Sequence, residues 1–313
     1  MGKKRLQTTA STEAVRIAVD KEGGIAQGPG NEGNVFDVHM QAETDGLVAS
    51  QKIVDVLKDR GVCLCEANAP HDLLSQAFEE AETLWQAGEF GPPMQVFDQD
   101  SQFEAQLWQE VLYKDEPKVL WMSEEASSSS RKMDSLKLLS QNMLDFAKGL
   151  GDTLAQETGI SFTHTWNAML SCYSGSKSYE LHVDNPHACS DRGLPDNGLR
   201  MTLCYYINPH WDPDSGSNGG GLDVFLTDPR IAPSSAAAAR KSKKLRIAPH
   251  ADTLAIFLSE RMGHQVVETT GRERWFCLTM WCFDQLAMSD FVPKVSQVQQ
   301  QALAADRSDD DYD

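Results

Sequence analysis

Two tripeptides in this sequence place a carboxylate two residues after an imidazole: His182-Val183-Asp184 and His250-Ala251-Asp252. In an extended chain residues i and i+2 point to one side, roughly 6–7 Å apart at Cα. Both groups can then close on one ion. A histidine from a distant strand would complete a facial set of two imidazoles and one carboxylate, which leaves open positions on non-haem Fe(II). His264 lies 80 residues after Asp184, room for several strands, but only 12 after Asp252, room for one. His182, Asp184 and His264 are therefore the expected metal ligands. The second tripeptide sits between Pro249 and the apolar run 253–257, and reads as a turn entering a strand. His187 and His210 fall in expected loops, where solvation is the default role.

The elements that must position such a set divide at about residue 160. Before it, apolar residues recur at three- and four-residue steps. Ile53, Val54, Val56 and Leu57 mark one helix, and Leu73, Leu74, Phe78, Ala81, Leu84 and Trp85 a second. Leu136, Leu139, Met143, Ala147, Leu150 and Leu154 mark a third, longer one. Val62-Cys63-Leu64-Cys65 reads as a strand. After it come short β-rich runs at 166–173, 201–207, 222–226, 253–258 and 275–283, separated by Gly, Pro, Asn and Asp. Gly219-Gly220-Gly221 precedes one of these strands and starts no helix, so it is a turn and not a phosphate loop. Helices followed by strands predict an α+β fold: a double-stranded β-helix, or jelly roll, packed on N-terminal helices. The expected boundaries are an unstructured segment 1–48, a helical support region 49–158, the β-helix domain 159–290 and an acidic tail 291–313.

Composition narrows the function classes. The net charge of −18 makes the chain a poor candidate for general nucleic-acid binding, which needs cations to displace counterions. No run approaches the ~18 apolar residues of a transmembrane helix. The start, Met1-Gly2-Lys3-Lys4-Arg5-Leu6, lacks the apolar stretch of a secretory signal, and Leu6 spoils a myristoylation site. The seven cysteines are odd in number, form no CxxC pair and mostly sit in apolar runs. They read as reduced, buried thiols of a cytoplasmic or nuclear protein. The run Arg240, Lys241, Lys243, Lys244 and Arg246 reads as a solvated basic loop.

Four stretches carry a resemblance. Asn167-Ala168-Met169-Leu170-Ser171-Cys172-Tyr173 precedes the metal motif His182-Val183-Asp184-Asn185-Pro186. Thr202-Leu203-Cys204-Tyr205-Tyr206-Ile207-Asn208 follows, with Trp211-Asp212 and Gly220-Gly221-Leu222. Thr279-Met280-Trp281-Cys282-Phe283-Asp284 closes the series. Together they make 118–284 similar to the catalytic domain of the 2-oxoglutarate- and Fe(II)-dependent prolyl hydroxylases, in the branch of the hypoxia-inducible-factor hydroxylases. Asp59-Arg60-Gly61-Val62-Cys63 extends the likeness to near residue 48.

The resemblance implies Fe(II), 2-oxoglutarate and O2, with ascorbate as reductant. It implies hydroxylation of a prolyl residue in a protein substrate, release of succinate and CO2, and a role in oxygen sensing. The alternatives are hydroxylation of another residue and a relative that binds a partner without turnover. Tyr206 matches a tyrosine that hydrogen-bonds the distal carboxylate of 2-oxoglutarate, and Tyr173 a second pocket tyrosine. That carboxylate needs a buried cation. Arg274 is the expected one, ten residues after His264 as in the procollagen enzymes, with Arg272 as the alternative. The hypoxia-factor branch has its Arg six residues before the closing Trp. Arg274 stands seven before Trp281, which turns it to the other strand face unless a bulge intervenes.

Overall fold

The computed structural model describes residues 34–40, 46–91, 118–122, 133–175, 178–189, 196–211, 219–233, 236–269 and 274–289. Its first half runs β1 (Val38–His39), α1 (Gly46–Arg60), β2 (Val62–Glu66), α2 (His71–Gln86), β3 (Lys118–Trp121) and α3 (Asp134–Thr158). The second half runs β4 (His164–Thr165), β5 (Met169–Ser174), β6 (Tyr179–His182), β7 (Leu199–Tyr206), β8 (Leu222–Phe225), α4 (Ala236–Ala239), β9 (Lys244–Ile247), β10 (Thr253–Leu258), β11 (His264–Val266) and β12 (Arg274–Phe283).

Two sheets result. The larger has the order β1-β2-β10-β7-β12-β5-β3, with β4 also on β12, and the smaller the order β6-β11-β8-β9. Among the described strands only β1 and β2 pair in parallel. Strand alternation sorts the larger sheet's side chains into two cores. Cys63, Leu170, Leu203, Leu254, Phe276 and Leu278 turn to the helices. Leu64, Tyr173, Tyr206, Phe257 and Trp275 turn to the space between the sheets, which Leu222, Val224, Leu245 and Ile247 line from the smaller sheet. This is the expected α+β jelly roll on a helical support. Each fully buried Leu-sized side chain contributes about 1.5–3 kcal/mol, so α3, with Leu136, Leu139, Leu150 and Leu154 buried, anchors the outer face.

α3 has no cap of its own, because Met133 stands at its N-cap. The buried Glu80 of α2 reaches across instead. Its carboxylate accepts from Ser135 N at 3.0 and 3.1 Å and from Leu136 N at 3.0 Å. A negative group on otherwise unsatisfied N–H donors suits the positive end of a helix.

Residues 34–40, read as part of an unstructured segment, are built into the larger sheet: Val38 pairs with Cys65, and Asn34 donates to Ala248 O and Thr253 Oγ1. The basic run is not all loop. Lys244 and Arg246 lie on β9 and ion-pair with the buried Asp223 of β8. His187 is not simply solvated, since its Nε2 meets Glu260 Oε2 at 2.9 Å. His210 is exposed, as expected. Residues 1–33 and 290–313 lie outside the described residues, as do 270–273 with Arg272. Among the described residues no helix is long and apolar enough to cross a membrane, and six cysteines, 63, 65, 172, 204, 277 and 282, are buried and free.

Candidate active site

β6 and β11 are neighbours in the smaller sheet, and their register sets His182 directly opposite His264. Asp184 follows β6 by two residues. The chain there is pinned by Asn197 Nδ2 on Asp184 O at 2.8 Å and by Asn185 Nδ2 on Leu199 O at 3.0 Å. The three side chains are buried, and one ligand atom from each lies within 4.8 Å of the others. Asp184 Oδ1 stands 3.4 Å from His182 Nε2 and 3.6 Å from His264 Nε2. Donors each ~2.1 Å from one ion and at right angles stand about 3 Å apart, so a small inward movement closes the set.

Both imidazoles are oriented for ligation. His182 Nδ1 lies 2.7 Å from Glu180 O, and His264 Nδ1 lies 3.0 Å from Met262 O. A carbonyl accepts only, so Nδ1 carries the proton and Nε2 presents its lone pair to the site. Burial, and then the nearby His182, lower the pKa of His264 to about 4, which keeps it neutral. Burial alone would raise Asp184, but the two histidines and Thr202 overcome it and hold the carboxyl at about 2. Two neutral imidazoles and one carboxylate leave a divalent ion net positive and fit Fe(II).

Sequence reasoning missed the residues that hold Asp184. Thr202 Oγ1 donates to Asp184 Oδ2 at 2.5 Å, with Ser259 Oγ 2.8 Å from the same hydroxyl. Trp281 Nε1 donates to Asp184 Oδ2 at 3.2 Å. Oδ2 is thereby occupied and Oδ1 is left to the metal. Phe257 packs on His264 with ring centroids 4.5 Å apart. The signal was available: Thr202 shares a strand face with Tyr206, four residues on.

The expected co-substrate residues separate. Tyr173 and Tyr206 both face the space between the sheets. Burial pushes both phenols well above their ordinary value, so both remain protonated donors. Arg274 does not join them. The ladder of β12 on β5 and β7 is unbroken from Arg274 to Cys282, its one irregularity falling between Cys282 and Phe283. No bulge therefore restores the inner face. Arg274 turns outward to α2, where Nη1 meets Glu82 Oε2 at 2.5 Å and the guanidinium lies 5.6 Å from the Trp85 ring centre. The inner position six before Trp281 is Trp275. The second His-x-Asp is a loop fastener: Asp252 accepts from Asn68 N, Ala69 N and Tyr205 Oη, and His250 is exposed.

Residues 168–283 match the family model of the 2OG-Fe(II) oxygenase superfamily. With the jelly roll and its His-Asp-His cluster, the chain carries an oxygenase domain of that superfamily, for which Fe(II), 2-oxoglutarate and O2 are the implied reagents. Among solved structures it is similar to the prolyl hydroxylases. One is the Trichoplax adhaerens prolyl hydroxylase in complex with a hypoxia-inducible-factor oxygen degradation domain peptide. It is 21% identical with a TM-score of 0.58, over 78% of this chain and 93% of that one. A Pseudomonas putida prolyl-4-hydroxylase is 17% identical with a TM-score of 0.52, over 75% and 98%. The non-haem, alpha-ketoglutarate-dependent carbocyclase SnoK of nogalamycin biosynthesis is 10% identical with a TM-score of 0.51, over 78% and 87%. These identities establish a shared fold. No curated protein sequence matches the chain.

Proposed function

We propose that the chain is an Fe(II)-dependent oxygenase that hydroxylates a prolyl residue in a protein, with a 2-oxo acid as the second reductant of O2. The observation that carries this reading is the convergence of His182, Asp184 and His264 with both imidazoles tautomerically set. The prolyl hydroxylases of similar fold supply the substrate class. Fe(II), when bound, supplies activation of O2. The chain's own share is different. His182 and His264 present Nε2, Thr202 and Trp281 orient Asp184, and Tyr173 and Tyr206 offer neutral donors deeper in the site. No nucleophilic side chain is required. Dependence on O2 makes an oxygen-sensing role a corollary, and ascorbate would keep the iron ferrous. The reduced thiols agree with a cytoplasmic or nuclear setting.

The test is incubation with Fe(II), ascorbate, a 2-oxo acid and isotopically heavy O2 against proline-containing peptides and a cell extract. Mass spectrometry then locates the label. Heavy oxygen on a prolyl ring supports the reading. Label on another residue type would sink the prolyl assignment and keep the oxygenase, a second reading favoured by the carbocyclase of the same fold. Metal binding without any labelled product would favour a partner-binding relative.

A further inference from the structure

The space between the sheets has a definite inner row. Along β12 it runs Trp281, Thr279, Cys277 and Trp275, beside Thr202, Cys204 and Tyr206 of β7. Asp184 meets this row at Thr202 and Trp281, so the metal site is at one end and Trp275 at the other. A 2-oxo acid held at such a metal would extend along this row.

A dicarboxylic acid would need a cation at the far end, because an unpaired buried carboxylate is too costly to desolvate. Among the described residues no Lys or Arg is buried as a whole. Arg274 lies on the helix side of the sheet, its Nη1 on Glu82 and its Nε buried without a partner, and Lys244 and Arg246 are outside on Asp223. Arg200 is beyond the metal end, held by Asp196 at 2.8 Å. The far end is instead filled. Trp275 is 1% exposed and stacks on Tyr173, with centroids 4.3 Å apart and planes at 16°. Tyr206 and Trp211 flank it at 5.9 and 6.4 Å. Its Nε1 donates to Thr269 Oγ1 at 3.0 Å and abuts Gly220, where a Cβ would come within 2.7 Å of that nitrogen.

The charged tail of 2-oxoglutarate does not fit these residues. Resting on the iron centre proposed above, the geometry points to a co-substrate with a short, uncharged tail: a monocarboxylic 2-oxo acid of the pyruvate or 2-oxobutyrate type. The electron balance is kept. Breaking the C1–C2 bond releases CO2 and supplies two electrons. One atom of O2 enters the shortened carboxylic acid, and the other is left for the substrate C–H bond. Tyr173, Tyr206 and Thr279 supply neutral hydrogen bonds only.

The experiment uses the full chain, freed of metal. Co(II) alone is titrated first, read by its visible d–d bands. Fe(II) is then titrated anaerobically with pyruvate, 2-oxobutyrate and 2-oxoglutarate, read by the charge-transfer band of the chelated keto acid. 2-Oxobutyrate is expected to saturate at a concentration about tenfold or more below 2-oxoglutarate, the scale of one missing charge-assisted hydrogen bond. Trp275→Arg is expected to reverse that order, while the wild-type order decides the matter if the variant does not fold. Equal affinities, or a tenfold preference for 2-oxoglutarate, overturn the inference. If that preference collapses in Arg272→Gln, the cation is Arg272. Co(II) binding without a band from any keto acid overturns the inference and spares the metal site. Absence of Co(II) binding overturns the iron reading and the inference with it.

Discussion

Thr202→Val tests whether Asp184 is a ligand oriented by its neighbours. Thr202 Oγ1 lies 2.5 Å from Asp184 Oδ2, within the short range of hydroxyl–carboxylate hydrogen bonds. The only other side-chain donor seen on that oxygen among the described residues is Trp281 Nε1 at 3.2 Å. Valine keeps the shape and removes the hydroxyl. A hydrogen bond to a charged group is worth about 1.5–3 kcal/mol. At about 1.4 kcal/mol per decade, its loss should weaken Co(II) binding roughly 10–100-fold. Thr202→Ser keeps the hydroxyl and should stay within about threefold of wild type. Titration by d–d absorption measures all three. The reasoning fails if Val binds Co(II) as tightly as wild type, or if Ser loses as much as Val, since packing would then outweigh the hydrogen bond.

Other consequences are equally direct. His182→Ala should abolish Co(II) binding, whereas His250→Ala should leave it unchanged, because His250 is exposed and apart from the cluster; the reverse pattern would transfer the site to the second tripeptide. Glu80→Ala should cost about 2–3 kcal/mol in urea unfolding, combining a lost cap with charge-assisted bonds. Glu80→Gln should recover part of that loss, and a change below about 0.5 kcal/mol for Glu80→Ala would refute the cross-helix cap. Burial would raise Asp223, but Arg246 and Lys244 overcome it and leave the carboxyl below its ordinary value of 3.8. Its contribution is therefore complete above that pH and lost as the pH falls through the lower folded value. Asp223→Asn should flatten the acid limb of a stability–pH curve, and an unchanged limb would contradict the pairing.

The sequence made the three helices and the principal strands legible because their apolar periods are strong and local. The clustering of His182, Asp184 and His264 was legible because two separations, 80 and 12 residues, set one tripeptide apart from the other. The short strands at Val38–His39 and His164–Thr165 were not, since two residues carry no period and their order comes from the neighbouring strand. The β9 assignment failed because Lys244 and Arg246 look solvated until the buried partner Asp223 is known. Arg274 failed for a different reason. Counting from His264 crosses an irregular pairing between His264 and Val266 and residues outside any described strand. Counting back from Trp281 along an unbroken ladder gives the correct face.

The hydrogen bond from Trp281 to Asp184 has an optical meaning. An indole hydrogen-bonded to the second oxygen of a ligand carboxylate brings a fluorophore next to any ion that the carboxylate holds. Trp281 also lies 6.1 Å from both Trp166 and Trp121, and those two rings are 6.3 Å apart. Excitation can pass among three indoles at such separations. A paramagnetic ion at Asp184 therefore drains the emission of the whole trio, and the intrinsic fluorescence of the protein becomes a gauge of how much of it is loaded with metal.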